Sequence, residues 1–149
     1  MLYEIPISTK ERFQIMDITD EVQKMVYRSK VKHGIAVVFT HHTTTGLMIN
    51  EYESNLIEDF KAKMKELIPK GAGYSHDRID SNAHAHLRAS LLLNPEVVVP
   101  IDQAELQLGT WQRVLFVELD GPRHRRVYVM ICPPCPPSSR RSDHTYWAM

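Results

Sequence analysis

The sequence predicts an α+β protein whose sheet is mostly antiparallel and folds over as a β-sandwich with about three helices. Segments with strand character cluster at both ends of the chain, and the longest helical periodicity lies between them. The regular alternation of strand and helix that is typical of a parallel fold is missing. A length of 149 residues and a hydrophobic content of 43% are those of a single globular domain.

The first part of the chain is expected to form two strands, a helix and a third strand. Residues 2–7 and 13–18 are strand-like segments on either side of a polar turn. Thr19 is a candidate cap for a helix over residues 19–29, where apolar side chains recur at helical spacing. A β-branched and aromatic run over residues 35–42 predicts the next strand.

The central helix is predicted over residues 51–68, because apolar residues recur there every three or four positions and Lys and Glu fill the other face. Pro69 ends it. Residues 70–81 are a polar loop, and Ser81 or Asn82 is expected to cap a short helix that runs to position 93. The remaining strands are expected at 97–101, 105–108, 113–119 and 125–131.

Residues 1–131 are predicted to be the domain and residues 132–149 a proline-rich, polar and flexible tail. Cys132 and Cys135 stand in this tail with two prolines between them, and no second Cys pair completes a zinc site. A reduced pair is expected, as is usual in the cytoplasm. The N-terminus has no apolar run after a basic start, which favours a cytoplasmic protein without a secretory signal.

The charge balance argues against two classes of partner. Eighteen basic and eighteen acidic side chains give a formal net charge of zero. A dedicated nucleic-acid binder or a polybasic membrane-surface protein needs a basic excess, so neither nucleic acid nor membrane is expected as a partner. Eight histidines are present, and five of them lie between positions 41 and 86, where they can carry local chemistry.

The segment HHTTTGLMINE, residues 41–51, is the first candidate site. A strand that ends in histidines, threonines and a glycine just before a helix N-terminus is suited to hold a phosphate. Threonine is also an ordinary strand residue, so a purely structural origin stays open. Successive strand residues point to opposite faces, so His41 and His42 are not expected to enter the same pocket.

The segment GYSHDRIDSNAHAHLRAS, residues 73–90, is the second. Its density of imidazoles and carboxylates indicates metal binding or acid–base work, while a capped polar loop is the structural alternative. On a helix, His84 and His86 lie roughly 200° apart, so only one of them faces a given site. His86 is the one we expect there, with His76 next.

Two further segments follow near the C-terminal end. In LGTWQ and the strand after it, Glu118 stands among apolar residues, so it needs a cation, a histidine or a metal as partner unless it lies on an exposed edge. In DGPRHRR, Arg123 and Arg125 are able to grip a phosphate, although charges at a turn are more often simply solvated.

Taken in order, these segments resemble the YjbQ-like family, which is also described as secondary thiamine-phosphate synthase-like. The shared pattern is HxTxxxxxNE, then HDxxD-NAxAHL, then LGTWQxxxxxExDGPRxR, and it spans about residues 1–131. The resemblance implies an α+β β-sandwich that assembles as a homotrimer with its sheets around the threefold axis. It also implies a transferase that joins hydroxymethylpyrimidine diphosphate to thiazole phosphate and releases diphosphate.

The resemblance also implies which residues form the site. The expected catalytic residues are His42, Asp77, His86, Gln112 and Glu118. The expected substrate-binding residues are Thr43, Asn50, Glu51, Trp111, Arg123 and Arg125. The pattern further covers His76, Asp80 and Gly109. The leaving diphosphate must be neutralised by arginines or by a divalent metal ion, for which His42, His76, His86 and Glu118 are the candidate ligands.

Two other functions stay open at this point. One is a metal-dependent hydrolase that uses the same His, Asp and Glu residues. The other is a non-catalytic trimer that binds a phosphorylated small molecule. The density of titratable groups favours an enzyme, because a simple phosphate binder needs only cations and backbone amides.

Overall fold

The computed structural model describes residues 1–136, and residues 137–149, which include most of the expected tail, lie outside the described residues. The described chain is α+β, as predicted. Its strands are β1 (Leu2–Ser8), β2 (Gln14–Asp17), β3 (Gly34–Thr40), β4 (Thr45–Asn50), β5 (Glu96–Asp102), β6 (Glu105–Leu106), β7 (Arg113–Glu118) and β8 (His124–Cys132). Its helices are α1 (Thr19–Ser29), α2 (Ser54–Leu67) and α3 (Ala83–Leu92), with a 3₁₀ turn at Ser75–Arg78.

The strands form two antiparallel sheets. The five-stranded sheet has the order β1-β8-β3-β5-β6, and the three-stranded sheet has the order β2-β7-β4. The long strand β8 pairs with β1 on one side and with β3 on the other, while β7 is the centre of the smaller sheet. All pairings between these strands are antiparallel, which agrees with the sandwich predicted from the sequence.

The hydrophobic core has two layers on either side of the small sheet. One layer joins the inner face of the large sheet to α1 and to β7, where Val114 and Phe116 are completely buried. The other layer packs α2 and α3 against the opposite face of β7, with Leu115 and Val117 at its centre. Strand β7 is therefore buried on both faces, which explains its uninterrupted apolar sequence.

The structure corrects the expectation for the segment around Asn50. The chain does not enter a helix there, because residues 45–50 form β4 and pair with β7 from Thr45 opposite Glu118 to Asn50 opposite Arg113. Helix α2 begins at Ser54, and the Glu53 carboxylate caps it by accepting from two backbone amides of the first turn. The phosphate cradle expected at a helix N-terminus near Asn50 is thus replaced by a strand.

The cap of α3 also differs from the expectation. Asn82 occupies the cap position, but its side chain makes no capping hydrogen bond. The Asp77 carboxylate from the preceding 3₁₀ turn accepts the Ala83 backbone N–H at 3.0 Å instead. The Asn82 side chain is consequently available for other partners. Among residues 1–136, no helix is long and apolar enough to cross a membrane.

Candidate functional site

A cavity of about 600 Å³ opens between the end of β3, the segment that leads into β4, and α3. Its volume is in the range of small-molecule sites. Imidazole rings and hydroxyl groups lie beside an apolar floor, and we call it the histidine cavity. It is lined by Phe39, Thr40, His41, His42, Thr43, Thr45, His86, Ala89, Ser90 and Pro95.

His41 and His42 both line this cavity, contrary to the expectation that strand alternation would separate them. Strand β3 ends at Thr40, so the two histidines follow it in irregular backbone where alternation no longer applies. Their ring centroids lie 4.3 Å apart, and the His41 ring also stands 4.9 Å from that of Tyr128. The three rings therefore pack against one another in tilted orientations just beyond the end of β3.

The surroundings of His42 favour the neutral form of its ring. Its Nε2 accepts the backbone N–H of Arg126 at 3.1 Å. Burial lowers the pKa of His42 below its ordinary value, and the neighbouring His41 and Arg125 lower it further. The neutral ring with an occupied Nε2 carries its proton on Nδ1, so His42 is suited to donate a hydrogen bond and not to act as a base at Nε2.

The two histidines of α3 point in different directions, as the geometry of a helix predicts for residues two positions apart. His86 lines the histidine cavity, whereas His84 is buried on the other side and lines a second cavity. The His76 ring meets the His86 ring edge to face at 4.9 Å. His86 therefore joins His42 in one cavity, and His76 stands directly behind it.

A hydrogen-bonded chain continues from His76 into the protein. His76 Nε2 lies 3.0 Å from Asn82 Oδ1, and Asn82 Nδ2 donates to Asp120 Oδ2 at 3.0 Å. Arg12 pairs with Asp120 at 2.7 Å and Arg123 at 3.2 Å. Burial raises the pKa of Asp120, but the hydrogen bonds from Asn82 and Arg123 outweigh it, and the pKa is lowered overall.

Sequence reasoning did not assign Asn82 and Asp120 to the site, although both stand in the quoted motif strings. The sequence predicts a helix cap at Asn82 and a turn at Asp120, which is what these residue types most often form. The available signal was their position between titratable motif residues, since each is within six positions of a candidate histidine or arginine.

Glu118 and Arg125 form a buried ion pair. Arg125 Nε donates to Glu118 Oε1 at 2.8 Å, and its Nη2 donates to Oε2 at 2.7 Å. Thr9 and the amides of Leu119 and Asp120 also donate to the carboxylate. Glu118 is therefore fully engaged and is not among the residues that line the histidine cavity.

The remaining motif residues are divided between the two ends of the small sheet. Asn50 pairs with Arg113 at one end, and Gln112, which precedes Arg113, accepts the Gly109 amide at 2.8 Å. Thr45 pairs with Glu118 at the other end, close to the histidine cavity. Five residues of strand separate the ends by about 17 Å. Asn50, Glu51, Trp111 and Gln112 thus lie far from His42 and His86 in one chain.

The candidate metal ligands do not converge. Within residues 1–136, no three His, Cys, Asp or Glu side chains are arranged to hold a metal ion. His42 Nε2 already accepts an amide, and the Glu118 oxygens are occupied by Arg125, Thr9 and backbone donors. Of the four candidate ligands, His42 at its Nε2 and Glu118 at both oxygens are therefore committed to other bonds, and among the described residues the candidates do not gather into a site for a divalent ion.

The comparisons with known proteins agree with the motif pattern. The family model described as UPF0047 protein YjbQ-like matches residues 3–133. A UPF0047 protein of Archaeoglobus fulgidus is 53% identical over 126 residues, which is 85% of this chain and 97% of that protein. The UPF0047 protein YugU of Bacillus subtilis is 33% identical over 132 residues, which is 87% of this chain and 97% of that protein.

Solved structures with the same fold are also known. A YjbQ-like protein of unknown function from Sulfolobus solfataricus superposes with a TM-score of 0.87 at 41% identity, covering 90% of this chain and 97% of that chain. A protein of the same family from Clostridium acetobutylicum gives a TM-score of 0.83 at 40% identity, covering 87% and 99%. These similarities show the family and the fold of the chain. They do not describe an activity, which has to be argued from the chemistry of the site.

Proposed function

The chain belongs to the YjbQ-like UPF0047 family, and on that premise we propose that it is a transferase of the thiamine-phosphate synthase type that works in the histidine cavity. The observation that carries the proposal is that His42 and His86, from two separate sequence motifs, line one cavity of small-molecule size. The expected substrates are hydroxymethylpyrimidine diphosphate and thiazole phosphate. We place the reaction in the cytoplasm, which agrees with the unpaired Cys132 and Cys135.

The reaction needs no oxidant or reductant. A bond forms between the pyrimidine methylene carbon and the thiazole nitrogen, the bond from that carbon to the diphosphate oxygen breaks, and diphosphate leaves with the electron pair. The protein has to stabilise negative charge on the departing oxygens. His42, through its Nδ1–H, and the hydroxyl of Thr43 supply hydrogen-bond donors at the cavity wall, and His86 supplies a further imidazole.

The two motif arginines are not equivalent for this task. Arg125 is buried, and its Nε and Nη2 are committed to Glu118 and Thr44. Arg123 is 52% exposed, and its bonds to Asp120 use only its Nε and Nη2. Because its side chain is half exposed, Arg123 is able to meet a phosphate group, whereas the buried Arg125 is better suited to shape the turn that presents Arg123.

We further propose that the site is completed in a homotrimer. Trp111 and Gln112 lie at the opposite end of the small sheet from His42, so one chain does not bring the motif residues together. Trp111 is 70% exposed, and the outer face of the large sheet carries exposed apolar side chains such as Val98. Packing these faces around a threefold axis would bury them and carry one chain's Trp111 loop toward a neighbouring chain's histidine cavity.

A non-catalytic binder of a phosphorylated small molecule is the second candidate. It is favoured by the absence of any carboxylate among the described residues that line the histidine cavity. Asp77 caps α3, Glu118 pairs with Arg125 and Asp120 pairs with arginines, so each of these carboxylates has a structural partner. The argument that many titratable groups favour an enzyme is weakened to that extent. The metal-dependent hydrolase gains no support from the donor set.

The test is direct. The purified protein is incubated with both precursors, and thiamine phosphate is measured by liquid chromatography. Turnover that is lost in His86→Ala and kept in His33→Ala supports the transferase, because His33 is an exposed histidine paired with Asp102 on another edge. Circular dichroism and mass measurement verify that each variant keeps its fold and assembly. Full turnover in His86→Ala would contradict a transferase site in the histidine cavity. Binding of the precursors without turnover in the unmodified protein would favour the binder.

A further inference from the structure

A second cavity, of about 400 Å³, lies between the β1–β2 turn, α2 and α3. Five of its ten lining residues are cationic and two are acidic. We call it the cationic cavity, and its positive members are Arg12, Lys61, Lys65, Lys70 and Arg88. The chain as a whole has no net charge, but its cationic side chains are concentrated at this cavity. The low-dielectric walls of a cavity strengthen the electric field of the charges that line it.

Three of these cations surround one aromatic ring. The distances to the centroid of Phe13 are 5.6 Å from Arg88 Cζ, 5.8 Å from Lys65 Nζ and 6.0 Å from Lys61 Nζ. Contact with the ring faces offers each cation a modest attraction. It does not remove the repulsion among three like charges gathered around a single side chain.

The acidic residues of the cavity do not balance this charge. Arg12 is paired with Asp120 at 2.7 Å, and Lys61 reaches Glu11 and Glu58 only at 3.8 Å and 3.9 Å. In the part of the chain that the structure describes, no carboxylate lies within ion-pair distance of the other three cations. These three are Lys65, Lys70 and Arg88.

Arg88 is the most informative of the three because it is only 4% exposed. Its Nε donates to the Ile68 carbonyl at 2.9 Å, which satisfies one donor of the guanidinium but brings no negative charge. A buried guanidinium without a carboxylate is costly unless an anion compensates it. The cavity beside it offers the space for one.

His84 supplies an independent observation. It lines the same cavity, is 2% exposed, and its Nδ1 is buried without a hydrogen-bond partner among the described residues. A buried polar atom left without a partner costs free energy, and such atoms are rare enough to need an explanation. A bound anion with hydrogen-bonding oxygens would neutralise the Arg88 guanidinium and give His84 Nδ1 a hydrogen-bond partner.

We propose that the cationic cavity is a binding site for a phosphorylated small molecule, with its diphosphate or phosphate group held by Arg88, Lys65, Lys70 and His84. A volume of about 400 Å³ accommodates a diphosphate and a small attached group. The site is separate from the histidine cavity, because His84 and His86 leave α3 in different directions. It therefore does not depend on the activity proposed for that cavity.

The experiment measures binding of inorganic diphosphate to the full chain by titration calorimetry at low ionic strength. We expect saturable binding that weakens at least tenfold in the double variant Lys65→Gln/Lys70→Gln, whose side chains are exposed and whose loss leaves the core intact. Lys63→Gln is the matched control, because Lys63 lies on the same helix but pairs with Glu66 and does not line the cavity. It should bind like the unmodified protein.

Two further measurements locate the site. The ring nitrogen signals of His84 should shift on addition of diphosphate, and His33→Gln should retain diphosphate binding because His33 lines neither cavity. Inorganic phosphate run in parallel reports whether one phosphate group is enough for occupancy. No binding of either anion at millimolar concentration, or equal affinity in the Lys65→Gln/Lys70→Gln variant, would overturn the proposal.

Discussion

Arg125 meets Glu118 with two parallel hydrogen bonds, 2.8 Å from Nε to Oε1 and 2.7 Å from Nη2 to Oε2, in a place where the glutamate is completely buried. The pair joins the end of β7 to the start of β8. Glu118 also accepts from Thr9, and Arg125 also donates to Thr44. The ion pair and its hydrogen bonds thus connect four segments of the chain, which contain Thr9, Thr44, Glu118 and Arg125.

The first prediction concerns removal of one partner of this pair. Arg125→Met should lower the free energy of unfolding by about 3–5 kcal/mol, because it leaves a buried, uncompensated carboxylate. The double variant Glu118→Gln/Arg125→Met should lose less, since it leaves no buried charge and the amide oxygen still accepts from either the Thr9 hydroxyl or the backbone amides. Urea unfolding of both variants checks this. A loss below about 1 kcal/mol in Arg125→Met, as at an exposed pair, would contradict it.

The second prediction is that Asp120 stabilises the fold in a pH-dependent way. Burial raises the pKa of Asp120, but the hydrogen bonds from Asn82 and Arg123 and the charge of Arg12 hold it below its ordinary value. A lowered pKa in the fold means that the contribution is complete above the unfolded value of about 3.9. It is lost as the pH falls through the lower folded value.

Asp120→Asn should therefore be less stable than the unmodified protein at pH 7, and the difference should shrink as the pH approaches 3. Urea unfolding at pH 7, 4 and 3 measures it, with Asp102→Asn as the control because Asp102 is an exposed partner of His33. A difference that is independent of pH would mean that Asp120 acts through its hydrogen-bond geometry alone.

The fold was largely readable from the sequence because most of its elements depend on local patterns. The apolar periodicity of α2 and the β-branched runs of β3 and β5 are properties of short windows. Strand β4 was missed because its formation depends on β7, more than sixty residues away along the chain. Residues 45–50 contain a glycine and stand just before helix α2, so the local pattern favours a helix start over a strand.

The site was readable only in part, and for a similar reason. The geometry of a helix separates His84 from His86, so the sequence alone predicted that they serve different places. The need of Glu118 for a partner was equally clear, since it stands in an apolar strand. That Arg125 is the partner follows only from the turn that carries the chain from β7 in the small sheet to β8 in the large sheet. The cationic cavity draws its cations from three segments that are far apart in the chain, so no sequence motif marks it.

The third prediction follows from the burial of His84. Burial lowers its pKa below the ordinary value, and the positive charges of Arg88 and Lys70 lower it further, while Asp77 and Asp120 oppose this without outweighing it. The folded protein thus favours the neutral ring. The unfolded chain takes up the proton at about pH 6.5, so stability is complete above that pH and declines as the pH falls through the folded value.

Replacing the ring should flatten this decline. We expect His84→Leu to show a smaller drop in unfolding free energy between pH 7.5 and pH 5.5 than the unmodified protein. His33→Gln serves as the control, since His33 is exposed and paired with Asp102. The residual slope in His84→Leu should belong to His42, whose pKa is also lowered by burial. An unchanged slope in His84→Leu would show that the imidazole is not held neutral.

The fourth prediction tests how tightly the turn after β7 is packed. A methyl group at Gly121 would lie 2.2 Å from the Glu11 carbonyl oxygen and 2.8 Å from Glu118 Cγ, so the backbone itself would have to move. Gly121→Ala should therefore destabilise the fold by about 1–3 kcal/mol. Gly109→Ala is the comparison, because its methyl group would meet only the mobile end of Gln112 at 3.3 Å. Equal effects of the two substitutions on the urea midpoint would argue against a tight turn.

The last prediction concerns the outer face of the large sheet. Val98 on β5 is 52% exposed, and the exposed Ile35 and Met130 belong to β3 and β8, the next two strands across the sheet. Apolar side chains gathered on one flat sheet face indicate a contact surface. Val98→Lys would place a charge in the proposed interface, whereas Ile79→Lys removes an apolar residue that is 87% exposed in a loop. Light scattering after gel filtration should give three times the 17.2 kDa chain mass for the unmodified protein and Ile79→Lys. Val98→Lys should shift toward the monomer mass, and a trimer that survives it unchanged would move the interface to another face.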